Sequence, residues 1–132
     1  MLIKKCMKKI AVLSSDRSFI DRIKLKLDNF NHFIDSISLL TFSLLNRPDI
    51  IILDTSDLPP NNENKIIKSL NDIVPKSKIM LLLRNDDIEF LRMLRRNNNI
   101  FFSFNNPEDC LQIFEIIDNI EKNKEKVGFE YE

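Results

Sequence analysis

The sequence predicts one α/β domain built on a doubly wound parallel sheet of five strands. Short apolar runs alternate along the chain with longer stretches in which apolar residues recur at helical spacing. The apolar runs are unbroken, which is typical of strands that helices cover on both faces. A chain of 132 residues has the size of one domain and can form a core without disulfides or metal.

The first half of the chain supplies three predicted strands and two helices. The run KIAVL precedes two serines and an aspartate, and the run DIIIL is β-branched and is followed by Asp54. Helical spacing of Phe19, Ile20 and Ile23 predicts the first helix, and Pro48 ends the second because the residue before a proline disfavours helix. The predicted strands cover residues 9–13, 33–37 and 49–53, and the predicted helices cover residues 18–29 and 38–46.

The second half repeats the pattern. A loop with Pro59, Pro60 and three asparagines leads to a helix that Pro75 ends. Asp86 and Asp87 are expected to open the next helix, since acidic residues favour a first turn. Asn106 and Pro107 have the residue types of an N-cap and a first helical position. The predicted elements are a helix over 65–74, strands over 78–83 and 100–104, a helix ending at the asparagines 97–99, and a last helix burying Cys110, Leu111, Phe114, Ile117 and Ile120.

The charge balance argues against a nucleic-acid partner. Acidic and basic residues number 20 each, so the chain offers no excess of positive charge for phosphate groups. Cys6 and Cys110 form no CxxC pair, which fits a reducing compartment. The start lacks the apolar run of a signal peptide, and no run approaches the roughly 20 residues that span a bilayer. We therefore expect a cytoplasmic protein without a membrane partner, and Met7 is a candidate natural start.

Enzymatic motifs are missing from the sequence. The single histidine, His32, precedes the second predicted strand, where a solvent-facing position is expected, and it has no partner at metal-ligand spacing. No serine lies in a glycine elbow, which argues against a catalytic triad. With Gly128 as the chain's one glycine, no glycine-rich phosphate loop can form. The sequence thus predicts no enzyme and no cofactor.

Functional residues of an open parallel sheet lie at the carboxyl ends of its strands. Asp54 follows the third strand directly. It caps the next turn, as aspartate often does, or accepts a phosphoryl group or a cation, or has a regulatory role without phosphate. The full set of candidates at strand ends is Ser14, Ser15, Asp16, Asp54, Leu83, Arg84 and Ser103.

Three segments together resemble the receiver domains of bacterial response regulators. RPDIIILD resembles the stretch before their phospho-acceptor aspartate, KIMLLLRNDD their fourth strand and following turn, and NNPEDCLQIFEII the start of their last helix. The resemblance implies a flavodoxin-like, receiver-like (βα)5 fold with strand order 2-1-3-4-5. It implies a domain over residues 8–122, between an N-terminal tail of residues 1–7 and a C-terminal tail of residues 123–132.

The resemblance also implies a site, which this chain retains only in part. A receiver holds Mg²⁺ with an acidic pair and the acceptor aspartate, and binds the phosphoryl group with a Thr or Ser and a Lys. Here Asp54 matches the acceptor, but Ser14 and Ser15 match the acidic pair. Leu83 matches the Thr or Ser position, and Ser103 matches the Lys position. These departures predict a degenerate site without metal.

The leading hypothesis is a stand-alone degenerate receiver, or pseudo-receiver, that binds another signalling protein without Mg²⁺-dependent phosphorylation. The alternative is an atypical single-domain response regulator of a phosphorelay, phosphorylated on Asp54 with Mg²⁺ held by Asp16 and Asp54. A third class is a flavodoxin-like domain that binds a small ligand. The resemblance suggests a partner surface on the fourth helix, fifth strand and fifth helix, and a homodimer is compatible with the sequence. Candidate residues of that surface are Arg92, Arg96 and Phe104.

Overall fold

The computed structural model describes residues 9–27, 29–84, 88–112 and 114. It contains a five-stranded sheet in which every neighbouring pair of strands is parallel. A 3-10 turn over Thr55–Asp57 follows the third strand. The strands are β1 Ile10–Leu13, β2 Asn31–Phe33, β3 Ile50–Asp54, β4 Lys78–Leu82 and β5 Phe102–Phe104, and the helices are α1 Arg17–Lys26, α2 Ser36–Asn46, α3 Glu63–Ile73, α4 Ile88–Asn97 and α5, seen as residues 107–112 and 114.

The strand order is β2-β1-β3-β4-β5, as predicted. β1 and β3 lie at the centre, with Leu13 opposite Leu53, and β3 continues beside β4 to place Asp54 opposite Leu82. Each crossover between parallel strands contains a helix, so both faces of the sheet are covered. The polar residues that follow β1, β3 and β4 consequently meet at one edge of the sheet.

Two apolar clusters fill the two faces. Alternate residues of each strand point to opposite faces, so every central strand contributes to both clusters. One cluster unites Val12, Ile52 and Leu82 with residues of α1 and α5, among them Cys110. The other unites Leu13, Leu53 and Leu81 with residues of α2, α3 and α4. Full burial of Cys110 confirms the predicted buried thiol.

The boundaries of β2 and α2 differ from the prediction. β2 ends at Phe33, so the predicted strand over residues 33–37 was placed too late. The reason is the cap of α2: the Asp35 carboxylate accepts a hydrogen bond from the backbone N–H of Ser38 at 2.8 Å, which starts the helix at Ser36. The predictions for Asp86, Asp87, Ile117, Ile120 and both tails fall outside the described residues.

β5 differs from the prediction at its aromatic residues. Alternate residues of a strand covered on both faces are expected to be buried, but Phe101 and Phe102 are 52% and 45% exposed. In the described part of the sheet, β5 is the edge strand and pairs with β4. The Lys78 ammonium lies 4.7 Å from the centre of the Phe101 ring. Phe104, in contrast, is 3% exposed. Its side chain belongs to the core, which does not fit its predicted place on a partner surface.

None of the helices in the described part of the chain combines the length and the apolar character needed to cross a bilayer.

Candidate functional site

The carboxyl ends of β1, β3 and β4 bring three polar side chains together. Asp54 is the last residue of β3, Ser14 directly follows β1, and Arg84 lies two residues after β4. The Asp54 side chain is fully buried, whereas that of Arg84 is 29% exposed. This edge of the sheet therefore holds a buried carboxylate beneath a partly exposed guanidinium group.

Arg84 bridges Asp54 and Asp16. Its Nε donates to Oδ1 of Asp54 at 3.0 Å, and its Nη2 donates to Oδ2 of Asp54 at 2.7 Å. The same Nη2 donates to Oδ2 of Asp16 at 2.8 Å. The planar guanidinium matches a carboxylate in this two-point geometry, which makes the contact both directional and strong.

Two serines complete the environment of Asp54. The Ser14 hydroxyl donates to Oδ2 at 2.8 Å. The Ser56 hydroxyl donates to Oδ1 at 2.7 Å, and the Ser56 backbone N–H donates to the same oxygen at 3.1 Å. With the two bonds from Arg84, Asp54 accepts five hydrogen bonds. A buried charge with partners of this kind is tolerated in a protein interior.

Neighbouring residues hold Arg84 in this position. The Thr55 hydroxyl donates to the carbonyl of Leu82 at 3.1 Å and accepts from the backbone N–H of Arg84 at 3.3 Å. Leu83, between them, is 4% exposed and packs in the core. Because Leu83 points inward, the chain turns at the end of β4 and directs Arg84 toward the strand ends.

The turn after β1 is tied to the same region. The backbone N–H of Ser15 donates to Oδ2 of Asp57 at 2.8 Å. Oδ1 of Asp16 accepts from the backbone N–H of Phe19 at 3.2 Å and thereby caps α1. His32 is exposed, as expected, and its Nε2 lies 2.6 Å from the carbonyl oxygen of Ser14. These contacts join the turn after β1 to the 3-10 turn after β3 on one side and to β2 on the other.

Electrostatics keep the three charged groups ionised. Burial acts to raise the pKa of Asp54, but hydrogen bonds from Arg84, Ser56 and Ser14 outweigh it and hold the pKa below the ordinary value. The Phe19 backbone N–H, helped by Arg84, likewise lowers the pKa of Asp16. The hydrogen bond to Asp54 raises the already high pKa of Arg84. The cluster thus contains two negative charges and one positive charge at neutral pH.

The structure brings some of the predicted site residues together and separates others. Ser14, Asp16 and Asp54 form the cluster with Arg84. Ser15 takes part through its backbone alone, and Leu83 belongs to the core. The Ser103 hydroxyl accepts a hydrogen bond from Arg95 of α4 at 3.0 Å, so it bonds to α4 and not to the Asp54 cluster.

Sequence reasoning placed Arg84 at a strand end but gave it no role. The signal was a cation two residues after β4, at the edge where Asp16 and Asp54 also emerge. An unpaired buried carboxylate is costly, so a nearby arginine is a natural counter-ion. Asp54 caps the 3-10 turn through Ser56, as one of the two interpretations expects, and it is paired with Arg84.

The cluster does not fit Mg²⁺ as it stands. Mg²⁺ needs octahedral oxygen ligands, usually including carboxylates, at about 2.1 Å. Both oxygens of Asp54 and Oδ2 of Asp16 already accept hydrogen bonds from Arg84. A divalent cation would have to displace the guanidinium and meet its repulsion. Within the described ranges, no three His, Cys, Asp or Glu side chains are grouped to hold a metal ion.

The predicted partner-surface arginines are exposed. Arg92 and Arg96 lie one helical turn apart on α4, and Arg92 pairs with Glu89 at 3.1 Å. An exposed pair of this kind contributes little to stability. Both guanidinium groups are therefore on the surface of α4, where solvent or another protein can reach them.

Solved structures of receiver domains share this fold. The signal receiver domain of an HD domain-containing protein from Pseudomonas fluorescens Pf-5 aligns with a TM-score of 0.69 and 12% identity, over 91% of this chain and 99% of that one. The REC domain of AraT, a response regulator from Geobacillus stearothermophilus, aligns with a TM-score of 0.67 and 13% identity, over 89% and 98%. The phosphorylated cyanobacterial phytochrome response regulator RcpA aligns with a TM-score of 0.65 and 17% identity, over 84% and 91%.

The similarity of this chain to these receiver domains is a similarity of structure. No family model matches the sequence, and no curated protein sequence matches it. At these identities the alignments establish the fold, which is the flavodoxin-like fold of response-regulator receiver domains. The predicted fold class and strand order are confirmed.

Proposed function

We propose that this chain is a degenerate receiver that acts in signal transduction by contact with another signalling protein, without Mg²⁺-dependent phosphorylation of Asp54. One observation carries the proposal: the Arg84 guanidinium lies between Asp16 and Asp54 and bonds to both. The positive charge that a metal ion would bring to this edge of the sheet is supplied by the chain itself.

The geometry opposes phosphoryl transfer to Asp54. A carboxylate oxygen attacks phosphorus in line with the leaving group, and a metal ion neutralises the charge that arrives. Here both carboxylate oxygens accept hydrogen bonds from Arg84 and from Ser14 or Ser56. Attack would require loss of a buried, two-point ion pair, which is strongly unfavourable.

Acetyl phosphate with Mg²⁺ tests the proposal. The wild-type protein is expected to show no mass gain of one phosphoryl group by intact mass spectrometry. Arg84→Ala exposes the carboxylates of Asp16 and Asp54, so any gain is expected in that variant first. Arg92→Ala, which removes an exposed arginine from α4, is the matched control and should behave as wild type.

Phosphorylation of Asp54 in the wild-type protein would contradict the proposal. Stoichiometric phosphorylation of the wild-type protein that Asp54→Asn abolishes would establish the phosphorylated single-domain regulator and end the proposal. A mass gain of the same size in Asp54→Asn and in wild type would lie at another residue and would mean that Asp54 itself is unmodified, as proposed.

The partner surface that we propose lies on α4 and the adjoining edge of β5. It presents Arg92, Arg96 and the half-exposed Phe101. Arginine and aromatic side chains are enriched where proteins bind each other. Affinity capture can compare wild-type bait with Arg92→Glu/Arg96→Glu bait.

A matched control uses α3. Lys65→Glu/Lys68→Glu makes the same change of charge at two exposed positions of that helix. Proteins captured by wild type and by the α3 variant, but lost with the α4 variant, support the surface. An identical set of proteins with all three baits contradicts it.

A further inference from the structure

Helix α2 lacks the charged outer face of the other helices. Exposed positions of α1 include Arg17, Asp21 and Lys24, whereas Ser36–Asn46 contains no charged residue. A helix that is apolar on all sides is normally covered on all sides. The inner side of α2 contacts α3 and β1, but its outer side faces solvent.

Four large aliphatic side chains form this outer face. Three lie on α2, and one lies in the turn before it. They expose on the order of 400 Å² of apolar surface, which is at the level of the largest patch on a typical monomer. A patch of this size is often functional. The outer face is Ile34, 65% exposed, Ile37, 72%, Leu44, 56%, and Leu45, 75%, with Thr41 between them.

Two of the four aliphatic residues are placed symmetrically about Thr41. Ile37 and Leu45 lie four residues before and after it, so an antiparallel copy of α2 with its twofold axis at Thr41 would place Ile37 against Leu45 twice. Thr41 is small, and its hydroxyl donates to the carbonyl of Ile37 at 3.0 Å. No polar atom of Thr41 would therefore lose a partner at a close approach of the two helices.

Charges at the two ends of α2 have opposite signs. Asp35 caps the beginning, and Arg47 ends the helix, each six residues from Thr41. Lys9 adds positive charge at the end, where its Nζ lies 3.4 Å from the Asn46 carbonyl. Asp49 accepts a hydrogen bond from the Lys9 backbone N–H at 2.8 Å, so Arg47, Lys9 and Asp49 together give this end one net positive charge. An antiparallel pair brings the Asp35 end of one copy to the Arg47 end of the other, whereas a parallel pair would bring like charges together.

We infer that the outer face of α2 is an isologous dimer interface and that its partner is a second copy of this chain. The apolar residues form the centre, and Asp35, Ser38 and Arg47 form a polar rim. A stable interface needs about 800 Å² from each partner. The exposed aliphatic side chains supply about half of this area. We therefore expect a weak dimer that dissociates on dilution through the micromolar range.

Sedimentation of the full-length protein tests the inference. The mass should rise from 15.6 kDa toward twice that value as the concentration increases from about 1 μM to about 1 mM. Leu45→Glu should hold the mass at the monomer value. Leu25→Glu, at an 86% exposed position of α1, is the matched control and should dimerise as wild type does.

Disulfide trapping tests the symmetry. In a Cys6→Ser background, Thr41→Cys should form a disulfide-linked dimer under mild oxidation much faster than Leu25→Cys does, because each new thiol faces its own copy across the axis. A monomer at all concentrations overturns the inference and leaves the face to a different partner. A dimer that survives Leu45→Glu, or equal trapping of the two cysteine variants, overturns it as well.

Discussion

Arg84 donates two hydrogen bonds to the buried carboxylate of Asp54, from Nε at 3.0 Å and from Nη2 at 2.7 Å. Asp54 sits at the end of β3 and Arg84 two residues beyond β4, so the pair joins adjacent strands across the edge of the sheet. A receiver fold that carries its own cation at this place can keep a buried aspartate ionised without metal.

Arg84→Ala should destabilise the protein. The substitution leaves the fully buried Asp54 carboxylate with its serine partners but without a counter-charge, which costs about 2–4 kcal/mol of unfolding free energy. Urea denaturation followed by circular dichroism measures the change. Arg92→Ala removes an exposed arginine with one surface partner and should cost less than about 0.5 kcal/mol. Equal unfolding free energies of the two variants would show that the buried ion pair stabilises the protein no more than the exposed one does.

Stability should fall in acid, and Asp54 should account for part of the fall. The pKa of Asp54 is lowered in the folded protein relative to the unfolded value of about 3.9. Its contribution is therefore complete above that value and is lost as the pH falls through the lower, folded pKa. The difference in unfolding free energy between wild type and Asp54→Asn should be largest above about pH 5 and should shrink toward pH 2. A difference that stays constant with pH would contradict the lowered pKa.

Ser43→Ala should leave the stability unchanged or raise it. The Ser43 hydroxyl is fully buried on the inner side of α2, and within the described part of the protein it is the one buried side-chain polar atom without a hydrogen-bond partner. Its removal eliminates a desolvated group, and alanine favours helix, for a gain of up to about 1 kcal/mol. Ser14→Ala is the contrasting variant, because it removes a buried donor to Asp54 and should lower the melting temperature. A loss of stability in Ser43→Ala would indicate that this hydroxyl has a partner.

Cys110 should be inert to thiol reagents in the folded protein. Burial raises the pKa of its thiol to about 12, so the reactive thiolate is scarce at pH 8. In a Cys6→Ser background, alkylation should be slower than in the urea-unfolded protein by a factor of about 1,000 or more. Alkylation as fast as that of Leu25→Cys, added to the same background, would contradict the burial of Cys110.

Much of the fold could be predicted from the sequence because its strands are unbroken apolar runs. KIAVL, DIIIL and KIMLLL each became central strands buried on both faces. β2 and β5 are edge strands, and there the pattern was weaker. β2 was placed two residues late because the cap at Asp35 decides where α2 begins. Phe101 is exposed because β5 lies at the edge of the sheet that the described residues form.

The residues of the site could be predicted from the sequence, but the contact between Arg84 and Asp54 could not. Ser14, Asp16 and Asp54 emerge at strand ends that topology brings together, so their meeting follows from the order of the strands. Which side chain neutralises Asp54 depends on how the chain turns after β4. That turn is set by the inward packing of Leu83 and by the Thr55 hydroxyl, and neither contact has a local sequence signature.

A titration with Mg²⁺ followed by ¹H–¹⁵N NMR tests the central claim most directly, because it reports on the backbone N–H groups of Ser15, Asp16 and Ser56 beside the cluster. With Arg84 in place, these signals should show no saturable shift up to about 10 mM Mg²⁺, and a response should emerge in Arg84→Ala. Saturable, Asp54-dependent shifts in the wild-type protein at lower concentrations would contradict the account, because they would mean that the metal displaces the arginine.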